Sequence, residues 1–178
     1  MMNNQKTLND FLKIVEIWEK ELEEYDLEQL VQKENSENWS MGQLYKHLVD
    51  GTLNFHLPQA NKCISMDENK SKKKNFKGFM AYNILGAFPP IKIKVPPSKT
   101  YTPHQPESIS ELKKGFQDLR REMKSTFENL QNDKKGKTPH PGFSFLNASE
   151  WFRLIPMHFK HHLRQKERID KFLKSKQG

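Results

Sequence analysis

The segment HFKHHLRQ (158–165) places His158, His161 and His162 within five positions. Imidazole suits two kinds of chemistry: holding a transition metal as a neutral ligand, and moving protons near neutral pH. His158 and His162 are four residues apart, a spacing that projects both rings from one helix face, as helical H-x-x-x-H metal sites do. His161 is turned about 100° from His162 and belongs on the flank. A metal needs a further protein ligand. His47 stands three after Leu44 and four before Gly51, so it can share the inward stripe of its own segment. Gly51, one turn on, would leave room beside a metal or substrate, or would permit close helix packing. On spacing alone, two other accounts stay open: surface histidines on a basic helix, or hydrogen-bonded core residues.

Other side chains are placed to assist. Gln165 follows His162 by one turn on the same seam, where it would hydrogen-bond a ligand or substrate, or satisfy polarity within a core. Asp50, three after His47, is spaced to orient that ring through Nδ1, as carboxylates behind metal-bound histidines do; the same spacing is common on helix surfaces. His161 is a candidate for the layer behind the ligands, with a flank position as its other reading. His140 and Phe143 lie in PHPGF (139–143), a loop that would cover the bundle mouth or pack as a turn. His56, two before Pro58, is expected off the stripe, and His104 lies in a Pro-rich stretch. There is no G-x-S-x-G, no phosphate loop and no C-x-x-C. Cys63 is the one cysteine, which rules out an intrachain disulfide and suits a cytoplasmic protein. It has no neighbouring motif and is not expected to be a nucleophile.

The elements that must position these residues are helical. Leu8, Phe11, Val15, Trp18, Leu22 and Tyr25 step by three and four, one face of an amphipathic helix, with Thr7 and Asp10 resembling its cap. Ser40 and Gln43 form a capping box ahead of Leu44, Leu48, Gly51 and Phe55, and Pro58 is expected to bend or interrupt that helix. Ser108 and Glu111 open a third stripe of Ile109, Leu112, Phe116, Leu119, Met123, Thr126 and Leu130. Asn147 and Glu150 open a fourth, whose seam reads Trp151, Ile155, His158, His162, Gln165, Ile169, Phe172. Four capped stripes predict an all-α four-helix bundle. The connection between helices two and three, roughly 67–107, is long; FMAYNILGAF (79–88) inside it suits a short extra helix, and IKIKVPPSKTYTP is expected extended. NDKKGKTPHPGFSF, between helices three and four, reads as a Gly/Pro loop.

The chain has 178 residues, enough for one domain spanning 1–178. No run approaches the roughly 18 apolar residues of a membrane span, and MMNNQKTLNDF has no apolar signal region, so no membrane partner is expected. The formal charge of +8 comes largely from KSKKKNFK (70–77) and the C-terminal tail. Such runs are more often solvated faces than binding patches, and a nucleic-acid role is not expected.

Three blocks together resemble the DinB/YfiT-like superfamily of four-helix-bundle metalloenzymes, and within it the DUF1569 branch. NWSMGQLYKHLVD (38–50) is similar to the family's W-S-x-G-x-L-x-x-H-L. PHPGFSFLNASEW (139–151) is similar to its H-P-x-F-G followed by a capped E-W, and HFKHHLRQKERI (158–169) to its H-x-x-H-H-x-x-Q. With the helix count, the resemblance covers nearly the whole chain. It implies a divalent metal held by His47, His158 and His162. Two positions depart from the pattern: Ser144 stands where the family often has glycine, and Pro156 falls inside helix four, where it is expected to kink the helix just before His158.

Three neutral imidazoles with open positions resemble a catalytic centre more than a closed structural one. Such a metal lowers the pKa of bound water, or binds and deprotonates a thiol. The resemblance implies a hydrolase, or a transferase using a low-molecular-weight thiol, acting on a small-molecule substrate. Zinc or nickel suits three nitrogens, with manganese and iron as further candidates. The competing expectation is a non-catalytic metal-binding or stress-associated binding protein. Bundles of this family often pair, so a homodimer is compatible with the sequence.

Overall fold

The computed structural model describes residues 3–88 and 102–176. Most of the segment expected to be extended, IKIKVPPSKTYTP, lies outside the described residues. Four long helical runs form the bundle: α1 (Asn4–Leu22), a second run of α3 (Met41–Gly51) and α4 (Leu57–Ser65), α6 (Ile109–Asn129) and α7 (Ala148–Ser175). A short α2 (Leu27–Val31) lies between the first two. Among the described residues no helix is long and apolar enough to cross a membrane.

The stripes become the core. Phe11, Trp18, Leu44, Tyr45, Leu48, Phe116, Leu119 and Phe159 are fully enclosed. Trp18 and Tyr45 meet edge to face at 5.2 Å, and the Tyr45 hydroxyl donates to the Trp18 carbonyl at 3.0 Å. Aromatic edges on ring faces lock the mutual rotation of α1, α3 and α7, a more specific constraint than apolar burial alone. Gly115 lets α6 approach α3: a Cβ there would sit 2.6 Å from Val49 Cγ1. Gly51 has no such duty, since a Cβ there would meet nothing within 4 Å.

Three caps form as the sequence predicts. Ser40 with Gln43 and Asn147 with Glu150 make reciprocal capping boxes, and the Ser108 side chain accepts from the Glu111 N–H. The first helix differs. It starts at Asn4 with Asn3 as its cap, because Asn3 accepts from the Lys6 N–H, while Asp10 pairs with Lys6.

The second run carries the main departure. Pro58 does not interrupt it. Instead a π-helical turn, Thr52–His56, joins α3 to α4, and Pro58 sits in the first turn of α4. A π-turn adds a residue to the helical repeat and shifts the phase of the residues beyond it. The stripe that Phe55 was expected to continue therefore passes to His56. Phe55 is 38% exposed, while His56 is buried. The expectation that His56 lies off the stripe is thus corrected.

FMAYNILGAF is helical, as α5 (Phe76–Phe79) continuing into a π-helical stretch (Met80–Leu85). The link expected to be a Gly/Pro loop contains an antiparallel hairpin of β1 (Lys137–His140) and β2 (Ser144–Asn147), pairing Thr138 with Leu146 and His140 with Ser144. Thr138 and Leu146 are both buried, so the pair is anchored from beneath. Ser144 has φ +66°, in the left-handed region that costs a non-glycine residue roughly 1 kcal/mol. That backbone accounts for glycine at the corresponding place in the family pattern. Asn75 ties the hairpin down: its N–H donates to the Phe143 carbonyl at 3.0 Å, and its side-chain amide to Gly142 at 3.1 Å.

Candidate metal centre

His158 and His162 come from successive turns of α7, and His47 from the middle of α3, which packs against α7. The α7 helix continues through Pro156 without a break, and His158 reaches the cluster. Nε2 of His158 lies 3.1 Å from Nε2 of His47 and 3.0 Å from Nε2 of His162. Among the described residues these three form the group able to hold a metal, each offering one atom within 4.8 Å of the others.

The donor set fits a metal. Metal–nitrogen bonds of about 2.0–2.1 Å put neighbouring ligand atoms about 3 Å apart. Hydrogen bonding alone serves the cluster poorly. Gln165 Oε1 lies 3.0 Å from His162 Nδ1, which places the proton on Nδ1 and turns the Nε2 lone pair toward the other rings. His158 Nε2 can give its one proton to only one neighbour, while its buried Nδ1 has no partner among the described residues. A cation at the meeting point would satisfy three lone pairs that one proton cannot.

Electrostatics keep the rings neutral. Burial brings the His47 pKa down to about 4. Burial, followed by repulsion from His47, brings His162 to about 3. His158 is held well below the ordinary range by burial and then by His56, His162 and His47. Neutral imidazole is the form that binds metal. All three histidines keep partial solvent exposure.

Trp39, which the sequence did not single out, packs its ring 4.9 Å from His47. Asp50 is committed to Lys46, at 3.0 Å, and Lys46 also holds Glu111 at 2.6 Å. His161 lies on the flank, its ring 5.3 Å from His162 and 5.4 Å from Phe88. His140 closes its own turn: Nδ1 accepts from the Gly142 and Phe143 N–H groups at 3.0 and 3.1 Å. Its ring stacks on Phe143 at 4.7 Å and meets Trp151 at 5.1 Å. Burial brings its pKa to about 4.

His56 was missed as well. The π-turn delivers it edge-on to His158, with ring centres 5.1 Å apart, and Trp151 lies 6.2 Å behind it. Its Nδ1 is buried without a partner among the described residues. Burial, then His47 and His140, brings its pKa to about 3. Helical periodicity carries no signal for it, because the turn that places it breaks the period.

The chain is a helical bundle that converges three histidine nitrogens from two of its long helical runs into a cluster able to hold a metal ion. Residues 15–165 match the DinB superfamily, and the chain belongs to that superfamily. No curated protein and no solved structure matches the chain.

Proposed function

We propose that this chain is a metal-dependent enzyme acting on a small molecule, as a hydrolase or as a transferase of a low-molecular-weight thiol. His47, His158 and His162 would hold one divalent ion, zinc or nickel first, manganese or iron next. The observation that carries the reading is the convergence of the three Nε2 atoms, 3.0 and 3.1 Å apart along the chain of contacts, in partly exposed histidines. Three protein ligands leave coordination positions free, the feature that separates catalytic from structural sites. The ion would supply Lewis acidity to a substrate oxygen, or hold a thiol as its thiolate.

The protein's own contribution is orientation and an apolar setting. Gln165 fixes the tautomer of His162 through Nδ1. His56 and Trp39 bracket the cluster from two sides and restrain the planes of His158 and His47. Half-buried Phe88, with its ring centre 6.3 Å from His158, adds an apolar neighbour to the cluster. Within the superfamily, the W-S-x-G-x-L-x-x-H-L block at 39–48 and the H-P-x-F motif at 140–143 support placement in the DUF1569 branch.

Metal analysis of untagged protein tests this reading. About one ion per chain is expected, lost in His158→Ala. The loaded protein should hydrolyse members of an ester and lactam panel or conjugate a small thiol to an electrophile. An apo protein whose stability is unchanged by His158→Ala would overturn the reading. Bound metal with no turnover in either panel would favour a non-catalytic metal-binding or stress-associated protein.

A further inference from the structure

The segment HFKHHLRQ carries two sets of side chains. His158, His162 and Gln165 turn into the cluster; Lys160, His161 and Arg164 lie on the adjoining face of α7. That second face, together with Met157, lines a groove of about 330 Å³ whose remaining lining is Leu85, Gly86, Ala87 and Phe88. The groove is amphipathic. Half-buried Phe88 and exposed Leu85 give it an apolar wall, and Met157 adds a buried apolar side chain from α7. Lys160 and Arg164 are exposed on the other side, and none of the described lining residues is acidic. Arg168 adds to the positive field: after burial, Arg164 and Arg168 are the groups that depress His161. Lys160 also acts on Asp10, but that carboxylate already has a closer partner in Lys6 at 2.6 Å.

The groove and the cluster share a wall. The Phe88 ring stands 5.4 Å from His161 and 6.3 Å from His158, so one ring borders both. A small molecule lying along Phe88 would have one end at the cations and the other beside the histidine cluster. Guanidinium and ammonium groups beside an apolar wall select an anion carried on an apolar body, because the oxygens gain charge-assisted hydrogen bonds while the rest leaves water.

We propose that this groove seats the anionic end of the substrate, a carboxylate or phosphate borne by an apolar or aromatic body. Its role as a substrate subsite rests on the metal-centre reading above. Lys160 and Arg164 fix the anion, and Phe88 aligns the body toward His158 and His162.

The test is a calorimetric titration of the full chain, apo and zinc-loaded, with 4-phenylbutyrate, phenyl phosphate and the neutral 4-phenyl-1-butanol at low ionic strength. The proposal expects at least one anion to bind ten times tighter than the alcohol or better. It expects Lys160→Gln combined with Arg164→Gln to bring that anion down to the level of the alcohol, and Phe88→Ala to weaken anion and alcohol alike. Both altered cations are exposed, and circular dichroism checks that the fold is kept. Which anion binds tighter identifies the headgroup. Equal binding of anion and alcohol, or an unaltered affinity in the double variant, overturns the groove. Zinc content measured on the same samples separates the two claims: zinc bound without anion preference sinks the groove alone. Anion binding in a protein that takes no zinc sinks the metal centre, and with it the subsite role.

Discussion

At the residue scale, the cluster consists of bases that burial has made weak. In the unfolded chain a histidine titrates near 6.5. In the folded chain His47 and His140 titrate at about 4, and His56 and His162 at about 3. Depressed folded values mean that the unfolded state takes up protons first as the pH falls. Stability is therefore full above about pH 6.5 and is lost below it, down to the folded values near 4 and 3. Chemical denaturation of the apo protein should show a loss on the order of 1 kcal/mol per buried imidazole between pH 6.5 and 5.5; a flat profile across that window would contradict the assignment. Ser144 offers a second test. Its φ of +66° predicts that Ser144→Gly raises stability by about 1 kcal/mol in urea denaturation. At this scale the sequence was informative about what repeats and silent about what does not. His158 and His162 stand out by their spacing of four, and His47 by its place on a stripe. His56 was hidden, because the π-turn at Thr52–His56 moves it inward and nothing in the local composition announces that turn. Asp50 had the right spacing to reach His47, but Lys46 at 3.0 Å, itself anchored to Glu111, claims its carboxylate.

At the element scale, α7 does most of the positioning. Its entry is fixed three times over. Asn147 and Glu150 cap it reciprocally, Lys74 pairs with the Glu150 carboxylate, and Tyr82 donates to the Glu150 carbonyl at 2.9 Å. Asn147→Ala should cost about 1 kcal/mol of stability in thermal or urea denaturation, a direct measure of the cap. Farther along, Lys166 is 4% exposed and bridges Glu21 at 2.5 Å and Asp170 at 2.7 Å, while Tyr25 donates to Asp170. Burial alone would lower the lysine's pKa; the hydrogen bonds of Asp170, Glu21 and Tyr25 outweigh it and hold the charge. This latch ties α7 to α1. Glu21 is half-exposed, so Lys166→Ala should cost about 2 kcal/mol, below the full penalty for breaking a buried pair. A smaller loss in Lys166→Met would show that stem packing matters as well as charge. The four bundle helices and three of their caps were legible as stripes and S-x-x-Q, S-x-x-E and N-x-x-E signatures. Lys166 was not, since a lysine beside a seam reads as solvent-facing until the partner helix supplies its acids. The hairpin was missed for a similar reason: Thr138 and Leu146 are buried by contacts remote in sequence, and PHPGF resembles any turn.

At the scale of the whole molecule, a metal-loaded cluster would act as a staple. His47 belongs to the second helical run and His158 and His162 to the last, more than a hundred residues later. An ion bound at the three nitrogens would join these helices and stabilise the folded state alone, so zinc should raise the melting temperature. At about a thousandfold excess over Kd the gain is about 4 kcal/mol, or on the order of 10 °C for a chain of this length. His158→Ala should abolish that shift. Anomalous diffraction at the zinc edge from zinc-grown crystals would locate an ion held among these side chains. One strong peak per chain is expected about 2.1 Å from Nε2 of His47, His158 and His162. No peak there, or the main peak at other residues, would contradict a metal held by these three histidines.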